Sequence, residues 1–442
     1  MKTITKKNTL ILLLSILLLG FVLRVHNFTV WPRLGATFDE YAWTWLGLSL
    51  INNQVPTSWS SHQAYEGHRR HLIFQQTNFW LVTPYLEHPP FFGLVAGGFA
   101  KINGVGDLFD ISIDKIRPLA IILGVLSIGA LFLLVKELYD VKTALLVSLI
   151  YASVPTVVIG SRIVQNENFF IPFFLLSLFL IVKFIHTKKS LFRNLAAVVC
   201  GLLVLSKVPW VAAPIAVVAI LFYLKKYKDA GKFLAVVALF FLFYLAYGFY
   251  FNSEIFIELW RLQLARYDLT FNSIFALFTE PYLIDRYMID GWIYFGWFAL
   301  ILFLIKNLRK NYIIIFGFLA YLGVFIFAIP NEAGHGWYRY PFYPFLAISL
   351  AFFIKDYFNK NLVLTLLFIL IVGLSLLEIA WAPRFGFSFL VFRPFLIIST
   401  TSLLPLFFKQ KYIENYSRAI NFLLLIFIFS LNLLTIFQYN EQ

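Results

Sequence analysis

Apolar residues run through this chain in long unbroken stretches separated by short polar segments. Neither the two-residue alternation of a half-buried strand nor the one-sided spacing of a surface helix is present. Thirteen stretches, at 9–27, 117–136, 142–160, 168–186, 194–207, 209–224, 232–251, 289–305, 312–329, 341–355, 361–380, 389–408 and 418–437, are read as membrane-spanning helices, with ends placed to within a few residues. No water pairs the backbone inside a bilayer, so each run must satisfy its own N–H and C=O groups as a helix. Residues 91–103 (FFGLVAGGFAKIN) form a fourteenth run of 13 residues. Crossing the hydrocarbon core takes about 20 residues, so this segment predicts a helix lying in the interface or dipping into the membrane. The expected fold is an all-α polytopic membrane protein with interfacial helices in its first loop.

Composition agrees with that pattern. Of 442 residues 61% are hydrophobic and 13% charged, half the roughly 25% charge of a soluble domain, and mean hydropathy is +0.81. The net charge of +14 would suggest nucleic acid in a soluble protein, but here its distribution speaks instead to orientation. With thirteen spans and a cytoplasmic N-terminus, the inner segments hold 21 of the 36 basic residues and five of the 22 acids. Counting 91–103 as a span would invert every later loop and place the lysine clusters outside, against the positive-inside rule. Lys2–Lys7 followed by Leu10–Leu23 resembles a signal peptide, yet no small-x-small cleavage site follows, and Arg24, His26 and Asn27 come directly after. It reads as an uncleaved first span. The one cysteine, Cys200, leaves no intramolecular disulfide to expect.

The whole chain, 1–442, then reads as a single transmembrane domain with three polar outer loops, at 28–116, 251–288 and 331–340, and smaller outer turns at 160–167 and 381–388. Its polar residues gather there. In the first loop, Thr37-Phe38-Asp39-Glu40 opens an aromatic-rich stretch. The plainer account of Glu40 is a capping box with Thr37 as N-cap, which leaves Asp39 free. An acid pair on such a surface can bind a metal or act as a general base. Glu87-His88-Pro89-Pro90 precedes the short apolar run. The prolines suit a first helical turn, so Glu87 and His88 fall at a helix N-terminus, where a phosphate is favoured; otherwise this is an interfacial turn with two exposed polar residues. Ser161-Arg162 and Glu167 sit at an outer membrane boundary, where charges commonly just snorkel. Arg339, flanked by Tyr338 and Tyr340, can hold a phosphate by forked hydrogen bonding or can simply belong to an aromatic belt. Lys207 and Glu378, near outer span ends, can bind an anion or a hydroxyl, or snorkel. His62, His68 and His71 lack a regular metal-ligand spacing. No P-loop or dinucleotide fingerprint occurs, and no nucleotide cofactor is expected; an enzyme at the outer face would need an activated donor held in the membrane.

The order of these motifs resembles the membrane GT-C class of glycosyltransferases that use polyprenyl-phosphate sugars. It is similar above all to the protein O-mannosyltransferases and the aminoarabinose (lipid A) transferases. The resemblance covers roughly residues 1 to 350, and the thirteen-span count is similar to the second branch. It implies that Asp39 is the catalytic base or orients the acceptor, with Glu40 as its partner. Glu87-His88 corresponds to an element implicated in metal or donor-phosphate contacts, His88 standing where one branch has lysine. Glu167 matches an acid after the Ser-Arg element, and Arg339 and Tyr340 match a donor-phosphate clamp, to which Arg162 is added. Asp39, Glu87 and Glu167 make an oxygen-rich set for a divalent metal.

The activity implied is sugar transfer from a polyprenyl-phosphate donor to a lipid, glycan or protein acceptor at the extracytoplasmic face of the cell membrane, with inversion. Membrane lipids are the other expected partners, and nucleic acid is not. The rivals are a lipid-linked glycan flippase, disfavoured because spans nearly free of charge lack the midplane ionisable groups of transporters, and a surface-glycan polymerase or ligase.

Overall fold

The computed structural model describes residues 5–265, 272–283, 288–306, 308–329, 335–380, 382 and 389–441. Residues 266–271 and 284–287 of the second expected loop, 331–334 of the third, and 381 and 383–388 of the last turn lie outside the described residues. In chain order the α-helices longer than five residues are α1 (Lys6–Val25), α2 (Asp39–Asn53), α3 (Phe91–Ile102), α4 (Pro118–Leu138), α5 (Val141–Ser153), α6 (Pro155–Gly160), α7 (Asn166–Thr187), α8 (Ser190–Val204), α9 (Ala212–Tyr223), α10 (Tyr227–Ala265), α11 (Asn272–Thr279), α12 (Gly291–Lys306), α13 (Tyr312–Ala328), α14 (Tyr343–Asp356), α15 (Leu362–Ala380), α16 (Phe389–Thr401) and α17 (Lys411–Gln438). Every expected span falls on helix. Among the described residues six helices are both long and apolar enough to cross a membrane, the first being Lys6–Val25 and the last Lys411–Gln438, and shorter apolar helices accompany them. The protein is a multi-pass membrane protein of predominantly helical fold.

Two expected spans are broken in their interior or at a kink. The stretch 142–160 is two helices, because Val154 is extended (φ −66°, ψ 124°) ahead of Pro155; proline disfavours the helical region for the residue before it. The stretch 232–251 ends at a sharp break, Asn252 (φ −167°, ψ 104°). The Asn252 side chain accepts a hydrogen bond from the Ile255 amide (3.0 Å) and so starts a second helical piece that runs to Ala265.

The first loop is more structured than its sequence suggests. Besides α2 and α3 it holds a three-stranded antiparallel sheet in the order β1-β3-β2, with β1 Ser58–Trp59, β2 Arg69–Phe74 and β3 Thr77–Val82. Gln75 and Gln76 make the β2–β3 turn with positive φ (47° and 62°), a geometry normally announced by Asn-Gly. Tertiary bonds hold it instead: the Tyr41 hydroxyl donates to Gln75 Oε1 (2.7 Å), and the Gln75 amide donates to the Ile111 carbonyl (3.3 Å). The inner face of the hairpin, Phe74 and Phe79, buries against Tyr41 and Trp45 of α2.

Helices α2 and α3 lie side by side with their N-termini together: Trp43 meets Phe92 near the start, and Lys101 donates to Asn52 near the end (2.6 Å). Glycine makes the approach possible. A Cβ on Gly47 would run into the Gly93 carbonyl and approach the Gly97 Cα to 2.9 Å, and one on Gly97 would strike the backbone of Gly47 and Leu48. Gly47→Ala is therefore expected to destabilise the fold by about 1–3 kcal/mol through overpacking, seen as a lowered thermal midpoint in detergent. Gly231→Ala, where nothing lies within 4 Å of the added carbon, should leave the midpoint unchanged.

Candidate active site

The close packing of α2 on α3 sets the Asp39 end of one helix beside the Glu87-His88 end of the other. Between them and the bundle lies a cavity of about 780 Å³ whose walls include Asp39, His62, Glu87, His88, Lys207 and His335, with Trp43, Trp59, Trp260, Trp337 and Tyr338 supplying aromatic surface. Segments far apart in sequence thus meet at one end of the bundle. The second piece of α10 closes one side through Leu259, Trp260 and Gln263. A smaller cavity of about 260 Å³, near Tyr139, Lys306 and Lys355, lies at the other end of α4 and touches none of these motifs.

Asp39 is half-buried at the first position of α2. Its amide donates to Thr37 Oγ1 (3.2 Å), and its Oδ2 accepts from Gln165 Nε2 (2.9 Å). Glu87 Oε2 accepts from the Ser60 hydroxyl (2.7 Å). The His88 ring stacks on Trp43 at 4.9 Å and 27°. Burial first, and the Glu87 charge second, push the Tyr85 phenol well above its ordinary pKa, so it stays protonated in the cavity wall. Lys207 follows α8 and reaches back to α7, where its ammonium pairs with Glu167 Oε1 at 2.8 Å and lies 4.8 Å from the Tyr338 ring centre. Glu167 is fully buried, and its Oε2 has no hydrogen-bond partner among the described residues.

Four expected site residues, Glu40, Arg162, Arg339 and Tyr340, do not line this cavity. The Glu40 carboxylate is 3% exposed and forms a forked pair with Arg117 (2.9 Å from Nη2 to Oε2), and its Oε1 also accepts the Val164 amide (2.9 Å). Glu40 does not close a capping box either, since the N-cap position is Phe38 and no side chain caps the helix. Glu40→Gln is accordingly expected to cost about 3–5 kcal/mol of stability by leaving the Arg117 charge buried and uncompensated, read as a lower unfolding midpoint. Arg339 is fully buried outside the cavity wall, where it donates to the carbonyls of Ala276, Pro281 (2.9 Å) and His335 (3.3 Å). Arg162 likewise donates to the Leu23 carbonyl (2.8 Å). Both guanidiniums are engaged by backbone carbonyls, and neither lines the cavity. Tyr340 is buried over Gly160, where a Cβ would meet its ring, and does not line the cavity.

The residues expected to form a metal set are engaged one by one. Among the described residues no three His, Cys, Asp or Glu side chains come together in a way that could hold a metal ion, and Asp39, Glu87 and Glu167 are each engaged separately by Gln165, Ser60 and Lys207. These residues do not fit a ready-made divalent site. What the motifs alone did not reveal are Lys207 as the cation of the cavity and Gln165 as the neighbour of Asp39. Gln165 sits inside the Ser161–Glu167 segment, so position was the one available signal.

Comparison with known proteins bears on the fold. The sequence profile of the dolichyl-phosphate-mannose-protein mannosyltransferase family matches residues 87–247, from Glu87 through Lys207 and into α10. No curated protein matches by sequence. The structure is similar to that of ArnT from Cupriavidus metallidurans bound to undecaprenyl phosphate, at 13% identity and a TM-score of 0.57, over 98% of this chain and 77% of that one. Apo ArnT from the same organism matches at 13% identity and 0.54, over 96% and 76% of the two chains. The apo oligosaccharyltransferase of Archaeoglobus fulgidus matches at 14% identity and 0.54, over 94% of this chain. This chain spans 60% of that enzyme's length. The fold is therefore that of the GT-C glycosyltransferases.

Proposed function

We propose that this chain, which shares the GT-C fold, moves a sugar from a polyprenyl-phosphate donor to a hydroxyl or phosphate acceptor, with Asp39 as general base and Lys207 holding the donor phosphate. One observation carries the proposal: Asp39, Glu87-His88 and Lys207, which the sequence scatters over 169 positions, line one cavity between the first loop and the helix bundle. The charge distribution of the loops supports an extracytoplasmic site, since the opposite assignment puts the lysine-rich loops outside.

In the proposed reaction the acceptor oxygen approaches the anomeric carbon from the face opposite the phosphate. Asp39 removes its proton, the new C–O bond forms, and the bond from the anomeric carbon to the phosphate oxygen breaks. Configuration inverts, and the polyprenyl phosphate leaves with its negative charge. A fixed cation beside that leaving group is worth most where it is shielded from water, and Lys207 is a buried residue of the cavity wall. His88, just before α3, on the side where the dipole favours anions, would donate to the same phosphate. The aromatic walls offer flat apolar surface to a sugar ring.

The test is transfer of labelled sugar from a panel of polyprenyl-phosphate donors to an envelope extract, using the full chain in nanodiscs. Transfer that Asp39→Asn abolishes supports the proposal. Protein-dependent movement of labelled lipid between leaflets, with no transfer from any donor, would instead make the chain a flippase.

A further inference from the structure

We infer that Gln165 is the positioning residue for the general base: it binds one oxygen of Asp39, fixes the plane of the carboxylate, and leaves the other oxygen to take the acceptor proton. This inference rests on the transferase reading above and adds to it a residue outside the cavity wall.

The direction of the Gln165 amide is determined by its neighbours. Its Oε1 accepts from Trp43 Nε1 (2.9 Å) and from the Asn166 amide (3.2 Å), and an indole or backbone N–H can only donate. The nitrogen end must then face Asp39, whose Oδ2 lies 2.9 Å away. An ionised carboxylate can only accept, so the amide and the charged form of Asp39 suit each other, and the flipped amide would suit neither neighbour. Gln165 is 1% exposed and is the residue immediately before α7, so it sits on the rigid bundle rather than on the loop. Trp43, held by the same amide, stacks on His88. One side chain thereby couples Asp39, the base, to the ring beneath the proposed phosphate-binding histidine. Among the described residues no hydrogen bond falls on Asp39 Oδ1, which is the oxygen left for the acceptor.

Other charges also act on Asp39 and must be held constant in any test. Glu40 on the same helix is compensated by Arg117, and Lys207 by Glu167. Glu87, His88 and Tyr85 share the cavity, as do His62 and His335.

The experiment compares the parent chain with Gln165→Met and Gln165→Glu. Removing the N–H donor favours the protonated acid. In Gln165→Met the acid limb of the kcat profile should therefore move to higher pH, with kcat lowered on that limb and recovering as pH rises, and with KM for the donor unchanged. Gln165→Glu puts a second carboxylate against the first, and two such groups share a proton, so its acid limb should move further still. A loss of activity equal at every pH, or a raised KM with an unmoved limb, would overturn the inference. A second readout does not need transfer. In a His88→Asn background, the emission assigned to Trp43 by subtracting a Trp43→Phe spectrum should titrate with pH. It should lose that titration in Asp39→Asn, and its midpoint should rise in Gln165→Met. A chain inactive with every donor that still shows this titration refutes the transferase reading and keeps the coupling. An active chain whose Trp43 titration ignores Gln165→Met refutes the coupling alone.

Discussion

Asp39→Asn is expected to lower transfer by about 10²–10⁴-fold, the usual contribution of a positioned general base, while the protein folds and inserts as before. The substitution keeps the shape of the side chain and removes its basicity. Nothing in the fold depends on the Asp39 charge as a structural partner: its hydrogen bond comes from a neutral amide, Gln165, and the buried ion pair of α2 belongs to Glu40. Donor KM should be nearly unaltered, because the base acts on the acceptor. Single-turnover transfer from a labelled donor, together with an unfolding midpoint equal to the parent's, checks both halves. Parent-level turnover in a well-folded Asp39→Asn protein would remove Asp39 from the chemistry and leave the cavity without a proposed base.

The Lys207–Glu167 pair allows a sharper separation of stability from function. Lys207→Met alone leaves a carboxylate with no solvent exposure uncompensated, and breaking a buried pair from one side costs about 3–5 kcal/mol. That variant should unfold at a markedly lower temperature. Replacing both residues, Lys207→Met with Glu167→Gln, removes the stranded charge, and exchanges of this kind are often neutral. The double variant should therefore melt close to the parent. Its transfer activity should nonetheless stay down by about 10²–10³-fold, the effect of losing one fixed group that stabilises developing negative charge. Recovery of transfer along with stability would mean that Lys207 only braces α7 against the segment after α8. The phosphate would then need another cation.

Much of the fold was legible in the sequence because bilayer physics leaves few choices. An apolar run of sufficient length must be helical, and each expected span is. What hydropathy does not carry is the geometry of polar loops. The β2–β3 hairpin went unread because Gln75 and Gln76 occupy positive φ without any glycine or asparagine to mark them; contacts from Tyr41 and Ile111, distant in sequence, hold that turn. The site divided in a similar way. Asp39, Glu87 and His88 do share a cavity, as their common sidedness implied. Glu40, Arg162 and Arg339 carry equally suggestive charge, yet their positions are filled by an arginine partner or by backbone carbonyls. A guanidinium held by backbone carbonyls looks the same in sequence as one awaiting a phosphate. Only the placement of Leu23, Ala276 and Pro281 distinguishes them. Lys207 was undervalued for the converse reason, since a lysine at a span end usually snorkels, and nothing local revealed Glu167 behind it.

The arginine at the neck of the first loop has one more consequence. Arg117 grips Glu40 with two of its nitrogens and, with the third, the carbonyls of Phe28 and Pro32 (2.7 Å each). It therefore ties the return of the loop to its departure, nearly ninety residues earlier in the chain. In a small secreted domain a disulfide does this work, closing a long segment and shrinking the unfolded ensemble. Here the closure contains no sulfur, and the lone Cys200 is buried elsewhere, in α8. The loop that carries Asp39 and His88 is thus fastened by a knot that no thiol can untie, so its integrity is indifferent to the redox state of the compartment it faces.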